Sequence, residues 1–137
     1  GFSKADDVLS VAENVALGEV LWREGTIEPA LTALRKAVEQ EDQLLYAEPP
    51  GWMIPVRHAL GAILIAAGQP EEAQSVYQLD LKEHPKNAWS LLGLSQSLHL
   101  QNKKTEAEKF EKMFKKAWKN PDVMPPASCY CGTKNPL

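Results

Sequence analysis

The chain has 137 residues, enough for one domain with a proper core, and its hydrophobic share of 44% with 24% charged residues suits a globular chain rather than a disordered one. No apolar run reaches bilayer length, and the net charge of −3 argues against nucleic acid as the main partner, so neither a membrane span nor nucleic-acid binding is expected. The sequence opens on Gly1 without a secretory signal pattern, which reads as a processed chain or an excised fragment; with the true N-terminus unseen the location stays open, the cytoplasm being favoured.

In chain order, residues 5 to about 46 read as the first pair of helices. Leu17, Gly18 and Leu21 lie on one helix, and Gly25 offers the positive φ of a C-terminal cap. Thr26 ahead of Pro29 then starts a second helix carrying Ala30 and Leu34. That helix can run past Ala37 through "VEQEDQLLYA" until Pro49 and Pro50 stop it. The stretch "YAEPPGWMIP", residues 46 to 55, interrupts the helical pattern with three prolines, a glycine and Trp52. Either Pro50 or Pro55 can serve in the first turn of the next helix. Trp52 either folds over a rim of the repeats or packs the long loop down.

Stepping 43 residues from the first set gives Leu60, Gly61, Leu64, Gly68, Ala73 and Tyr77, the same succession of large, small and turn-forming residues. A further step of 34 gives Leu94, Ser95, Leu98, Asn102 and Ala107. Three copies of one unit are therefore present, at about 5–46, 50–86 and 87–119, with nine extra residues in the first spacing. Pro70 followed by Glu71 and Glu72 opens the second helix of the middle unit, Asn87 is placed to cap the next helix, and Thr105 with Glu108 has the form of a capping box. In the last helix Phe110, Met113, Phe114, Ala117 and Trp118 form an apolar stripe, with Lys109, Lys112, Lys115, Lys116 and Lys119 on the remainder, as the polar cap of a solenoid requires.

On these residues, above all "LGAILIAAGQPEEAQSVYQLDLKEHP" in the second copy, the chain resembles the tetratricopeptide repeat family, whose unit is a helix–turn–helix of 34 residues. The block "EPPGW…PVRHALG…NAWSLLGL" is also similar to the C-terminal repeat region of larger bacterial proteins of that family. The resemblance covers roughly residues 10 to 119 and implies an all-α fold: three tetratricopeptide-like antiparallel helix pairs in a right-handed superhelix over residues 1–119, followed by a non-helical tail, 120–137.

The resemblance further implies that a protein or peptide ligand lies in the concave groove lined by the first helix of each unit. Those positions hold Ala12, Val15, Glu19, Trp22 and Arg23, then Pro55, His58, Ala62, Ile65 and Ala66, then Trp89, Leu92, Gln96, His99 and Leu100. Among them Glu19, Trp22, Arg23, His58, Ile65, Trp89, Gln96 and His99 are the expected binding residues, because tryptophan and arginine anchor interfaces most often. So apolar a groove calls for an occupant: the chain's own tail, a second copy, or another domain. Co-chaperones of the family grip a partner's C-terminal carboxylate with Lys, Asn and Arg; the corresponding positions here hold Val15, Glu19, Ala59, Trp89 and Gly93, so that clamp is absent.

Catalytic chemistry finds little support. No nucleophile elbow, phosphate-binding glycine loop or metalloprotease motif occurs. His84 before Pro85 suits a helix end, while His58 and His99 could converge near Glu19 to bind a metal or handle a proton. In the tail, Cys129 and Cys131 form a C-x-C pair that can bind a soft metal or close a reducible disulfide, although a structural zinc site lacks its other ligands. The expected function is non-catalytic protein–protein interaction without a cofactor, as a scaffold or adaptor module. Soft-metal or redox handling through the cysteines, and self-association of the repeats, stay open as alternatives.

Overall fold

The computed structural model describes residues 3–46, 49–119 and 122–132. Among them it contains six α-helices and no strand: α1 (Ala5–Arg23), α2 (Ile27–Asp42), α3 (Val56–Ala66), α4 (Pro70–Glu83), α5 (Ala88–Leu100) and α6 (Lys104–Ala117), followed by a 3-10 turn at Tyr130–Gly132. The fold is all-α, and among the described residues no helix is long and apolar enough to cross a membrane. Helix α1 packs on α2, α4 on α5 and α5 on α6. The chain divides into two compact units, Gly1–Val56 and Arg57–Leu137.

The three repeat turns are built alike. Gly25, Gly68 and Asn102 take φ of 82°, 76° and 60°. In each case the next N–H reaches back five residues to close the helix: Thr26 to the Leu21 carbonyl, Gln69 to Leu64 and Lys103 to Leu98, at 2.9–3.0 Å. Pro70 stands at the first position of α4, where its missing N–H costs nothing. Asn87 caps α5 by accepting a hydrogen bond from the Trp89 N–H at 3.0 Å.

Other helix ends differ from the sequence reading. Helix α6 begins at Lys104, one residue ahead of Thr105, so the capping box with Glu108 does not form. The Thr26 hydroxyl donates back to the Leu21 carbonyl instead of capping α2. Helix α2 stops at Asp42, well short of Pro49, because the Gln43 and Leu44 N–H groups tighten onto the Gln40 and Glu41 carbonyls. The Glu41 carboxylate then accepts the Val56 N–H at 3.0 Å, and Pro55, not Pro50, directly precedes α3.

In the first unit α2 buries Ala30, Leu31, Ala33, Leu34 and Ala37, and α1 buries Val11 and Gly18. A Cβ on Gly18 would fall 2.6 Å from Leu34 Cγ, which shows how closely the two helices approach. Asn14 ties them by donating to the Gln40 side-chain oxygen at 3.0 Å. The loop with Trp52 lies on the same unit: a Cβ on Gly51 would sit 3.2 Å from Val8, and Trp52 is half-buried with its Nε1 enclosed and without a hydrogen-bond partner. Trp52 thus belongs to a loop packed down on α1. Ala47 and Glu48 of that loop lie outside the described residues.

The second unit has its core in Leu60, Ile63, Leu64, Tyr77, Leu91, Leu94, Leu98 and Phe114, each at most 3% exposed. Full burial of one such side chain is worth about 1.5–3 kcal/mol. Ser95, which takes the place of a glycine in the repeat, donates its hydroxyl to the Ala107 carbonyl of α6 at 3.0 Å.

Candidate functional site

The site grows from Tyr77. Its ring lies on the buried stripe of α4 with Ala73, Val76 and Asp80. It fills the space left by two glycines: a Cβ would come within 2.3 Å of its Cζ from Gly61 on α3, and within 2.1 Å from Gly93 on α5. The ring therefore cannot swing, and its hydroxyl is delivered to one fixed place. Burial pushes the Tyr77 phenol far above its usual range, so it remains a neutral donor.

A piece of the tail meets that hydroxyl. Ser128 is buried, 2.6 Å from the Tyr77 hydroxyl, and donates to the His58 carbonyl of α3 at 2.8 Å. Because Ser128 has only one proton and gives it to the carbonyl, Tyr77 donates to Ser128. Two residues upstream the Gln96 side chain of α5 donates to the Pro126 carbonyl at 2.9 Å. Two residues downstream Tyr130 meets Trp89 edge-on, with ring centroids 6.4 Å apart. Trp89 in turn stands at 83° to Trp118, at 5.3 Å, and Trp118 donates to the Val123 carbonyl at 2.7 Å. The tail therefore lies on the face of this unit that carries Trp89, Gln96 and the backbone of His58. Cys129 and Cys131 are joined in a disulfide, and the Cys131 N–H points to the Cys129 sulfur.

Beneath the tail the His58 side chain turns inward to a buried polar cluster. Its Nε2 is 2.9 Å from the Asn87 side-chain nitrogen and 3.5 Å from an Asp80 oxygen. Ser90, fully buried, donates to the same Asp80 carboxylate. Desolvation raises the Asp80 pKa, but the His58 and Ser90 side chains and the nearby His84 outweigh it and hold the carboxyl below its usual range. The order of groups matters chemically. The serine proton goes to the carboxylate rather than to the imidazole, so Ser90 is not set up as a nucleophile with a base. The cluster's evident work is to pin α3, α4 and α5 together.

His99 is exposed and its Nε2 lies 3.8 Å from Glu111 of α6, whose carboxylate Lys115 also holds at 2.6 Å. His58 and His99 thus serve different partners, one buried and one on the surface, and they do not form the metal or proton-handling set that the sequence allowed. Ile65 is half-buried on α3. Glu19, Trp22 and Arg23 lie on α1 in the first unit, the first two half-buried and Arg23 exposed. Sequence reasoning passed over Asp80, Ser90 and Ser128. The available signal was Asp80 itself, an acid three residues beyond Tyr77 on an otherwise apolar stripe. No family model matches the chain, and no curated protein matches it closely enough to count as a relative.

Proposed function

We propose that the chain is a non-catalytic interaction module of the tetratricopeptide kind, a scaffold or adaptor that holds a non-helical segment of a partner protein. The observation that carries this reading is the seating of Pro126 to Tyr130 on the second unit. That face grips a polypeptide by the means a peptide receptor uses: a side-chain amide on a main-chain carbonyl, a pocketed hydroxyl and an aromatic edge. In the absence of a partner the chain's own tail supplies the segment. The resemblance to repeat blocks of larger bacterial proteins suits the same role, with the module as one part of a longer assembly.

The test is a display library of short random peptides panned against the full chain carrying Ser128→Ala and Tyr130→Ala, so that its own tail holds on less tightly. Selected peptides should lose at least about 2 kcal/mol of binding, roughly thirtyfold, when Trp89→Ala is added. Peptides indifferent to Trp89, or no selected peptide at all, would remove this reading.

A further inference from the structure

We propose that the notch between the Tyr77 hydroxyl and the His58 carbonyl is a recognition subsite for a serine side chain. The partner segment it takes is uncharged and non-helical, with that serine followed two residues later by an aromatic ring. This rests on the peptide-binding reading above and names the chemistry of its ligand.

The notch asks for one kind of group. The Tyr77 hydroxyl arrives as a donor and the His58 carbonyl as an acceptor, 2.6 and 2.8 Å from the same Ser128 oxygen. Only a group that accepts and donates at one atom satisfies both, and a hydroxyl does so. An amide nitrogen or ammonium cannot accept from Tyr77. A carboxylate cannot donate to the carbonyl, and its charge would be desolvated beside Asp80, itself 3% exposed. An alanine would leave the buried Tyr77 donor without a partner. A site of this construction rejects the analogue that lacks the hydroxyl far more strongly than an apolar pocket rejects a missing methylene. Gly61 and Gly93 make the selection rigid, because the tyrosine cannot turn away to find water.

The flanking contacts set direction and spacing. Gln96 takes the carbonyl two residues before the serine without regard to side chain. Trp89, braced edge-on by Trp118, takes the ring two residues after it. The tail is seated in part: Pro125, Ser128 and Cys131 are buried, while Tyr130 is 61% exposed and Pro126, Val123 and Met124 face solvent. A partner with the same three anchors and a longer contact can therefore displace it. The tail acts as an internal occupant of its own receptor.

Binding is measured by fluorescence anisotropy with a labelled peptide Val-Met-Pro-Pro-Ala-Ser-Ala-Tyr, patterned on residues 123–130, and with its Ser→Ala version. The receptor is the full chain carrying Ser128→Ala and Tyr130→Ala, with helix content checked by circular dichroism. The serine peptide should bind at least about tenfold more tightly than the alanine peptide, and at least about tenfold more tightly than it binds the native chain. Adding Tyr77→Phe should erase the preference for serine, while Gln96→Ala should weaken both peptides alike. If both peptides bind equally and Gln96→Ala weakens both, the face takes peptides but the serine subsite is wrong. If neither peptide binds while the helices are intact, the subsite and the peptide-binding reading fall together.

Discussion

The ring of Tyr77 stands where Gly61 has no side chain: a Cβ on Gly61 would lie 2.3 Å from Cζ and 2.7 Å from the hydroxyl oxygen. Such a neighbour usually yields when it is the free end of a side chain. This one does not, because Gly93 closes the opposite side and Ser128 holds the hydroxyl. One contact therefore links the repeat's small-residue position to the tail-binding notch.

Gly61→Ala should accordingly destabilise the second unit by about 1–3 kcal/mol, even though alanine favours helix over glycine by up to about 1 kcal/mol. Tyr77→Leu in the same chain should recover part of the loss, since Leu34 occupies the equivalent place against Gly18. Urea unfolding of the two variants and the double variant measures the coupling. Additive effects would show that the ring is freer than the geometry implies.

Asp80 makes stability depend on acid. Its pKa is lowered in the folded protein, so it binds fewer protons there than in the unfolded chain. The stabilisation is complete above the unfolded value of about 3.9 and is lost as pH falls through the lower folded value. Native protein should therefore lose stability on acidification below about pH 4, and Asp80→Asn should flatten that part of the profile. At neutral pH Asp80→Asn should cost about 1–3 kcal/mol, because Ser90 and His58 lose a charged partner in a buried place. Denaturation midpoints at pH 3 to 7 for both proteins check the sign.

The repeat made much of this fold readable in advance. Gly25, Gly68 and Asn102 sit at one register position, and all three take the positive φ that a helix-ending turn needs. Gly18 and Gly61 likewise mark where a second helix comes close. The ends of α2 and α6 were not readable, because they depend on which carbonyl a particular N–H finds rather than on period. The register also set Trp89, Gln96 and His58 in corresponding helices, but it is silent on a segment without period. Seating of the proline-rich tail depends on Ser128 meeting a tyrosine 51 positions away, a pairing that no local pattern encodes.

Asn102 is the non-glycine residue with positive φ among those described, at 60°. Asparagine tolerates that region and alanine does not, while glycine enters it without strain. Asn102→Gly should be neutral or stabilising by at most about 1 kcal/mol, and Asn102→Ala destabilising by about 1 kcal/mol. Thermal unfolding of the pair decides it; equal loss in both would mean that the asparagine side chain, rather than its backbone, holds the turn.

Asn87 joins two jobs in one side chain, and a pair of substitutions separates them. Its oxygen accepts the Trp89 N–H at the start of α5, and its nitrogen lies 2.9 Å from His58 Nε2. Asn87→Ala removes both, at a cost of about 1–2 kcal/mol for the cap alone. Asn87→Ser restores a capping oxygen but is too short to carry an amide to the imidazole. Stability by urea unfolding should fall in the order native, serine, alanine. The step from native to serine measures the hold on His58, and the step from serine to alanine measures the cap. Since the His58 carbonyl forms one wall of the serine notch, the serine variant should also weaken tail seating, seen as a change in Trp89 emission as Tyr130 moves off its edge. An unchanged emission spectrum in a less stable Asn87→Ser protein would separate the buried cluster from the tail and leave it a purely structural brace.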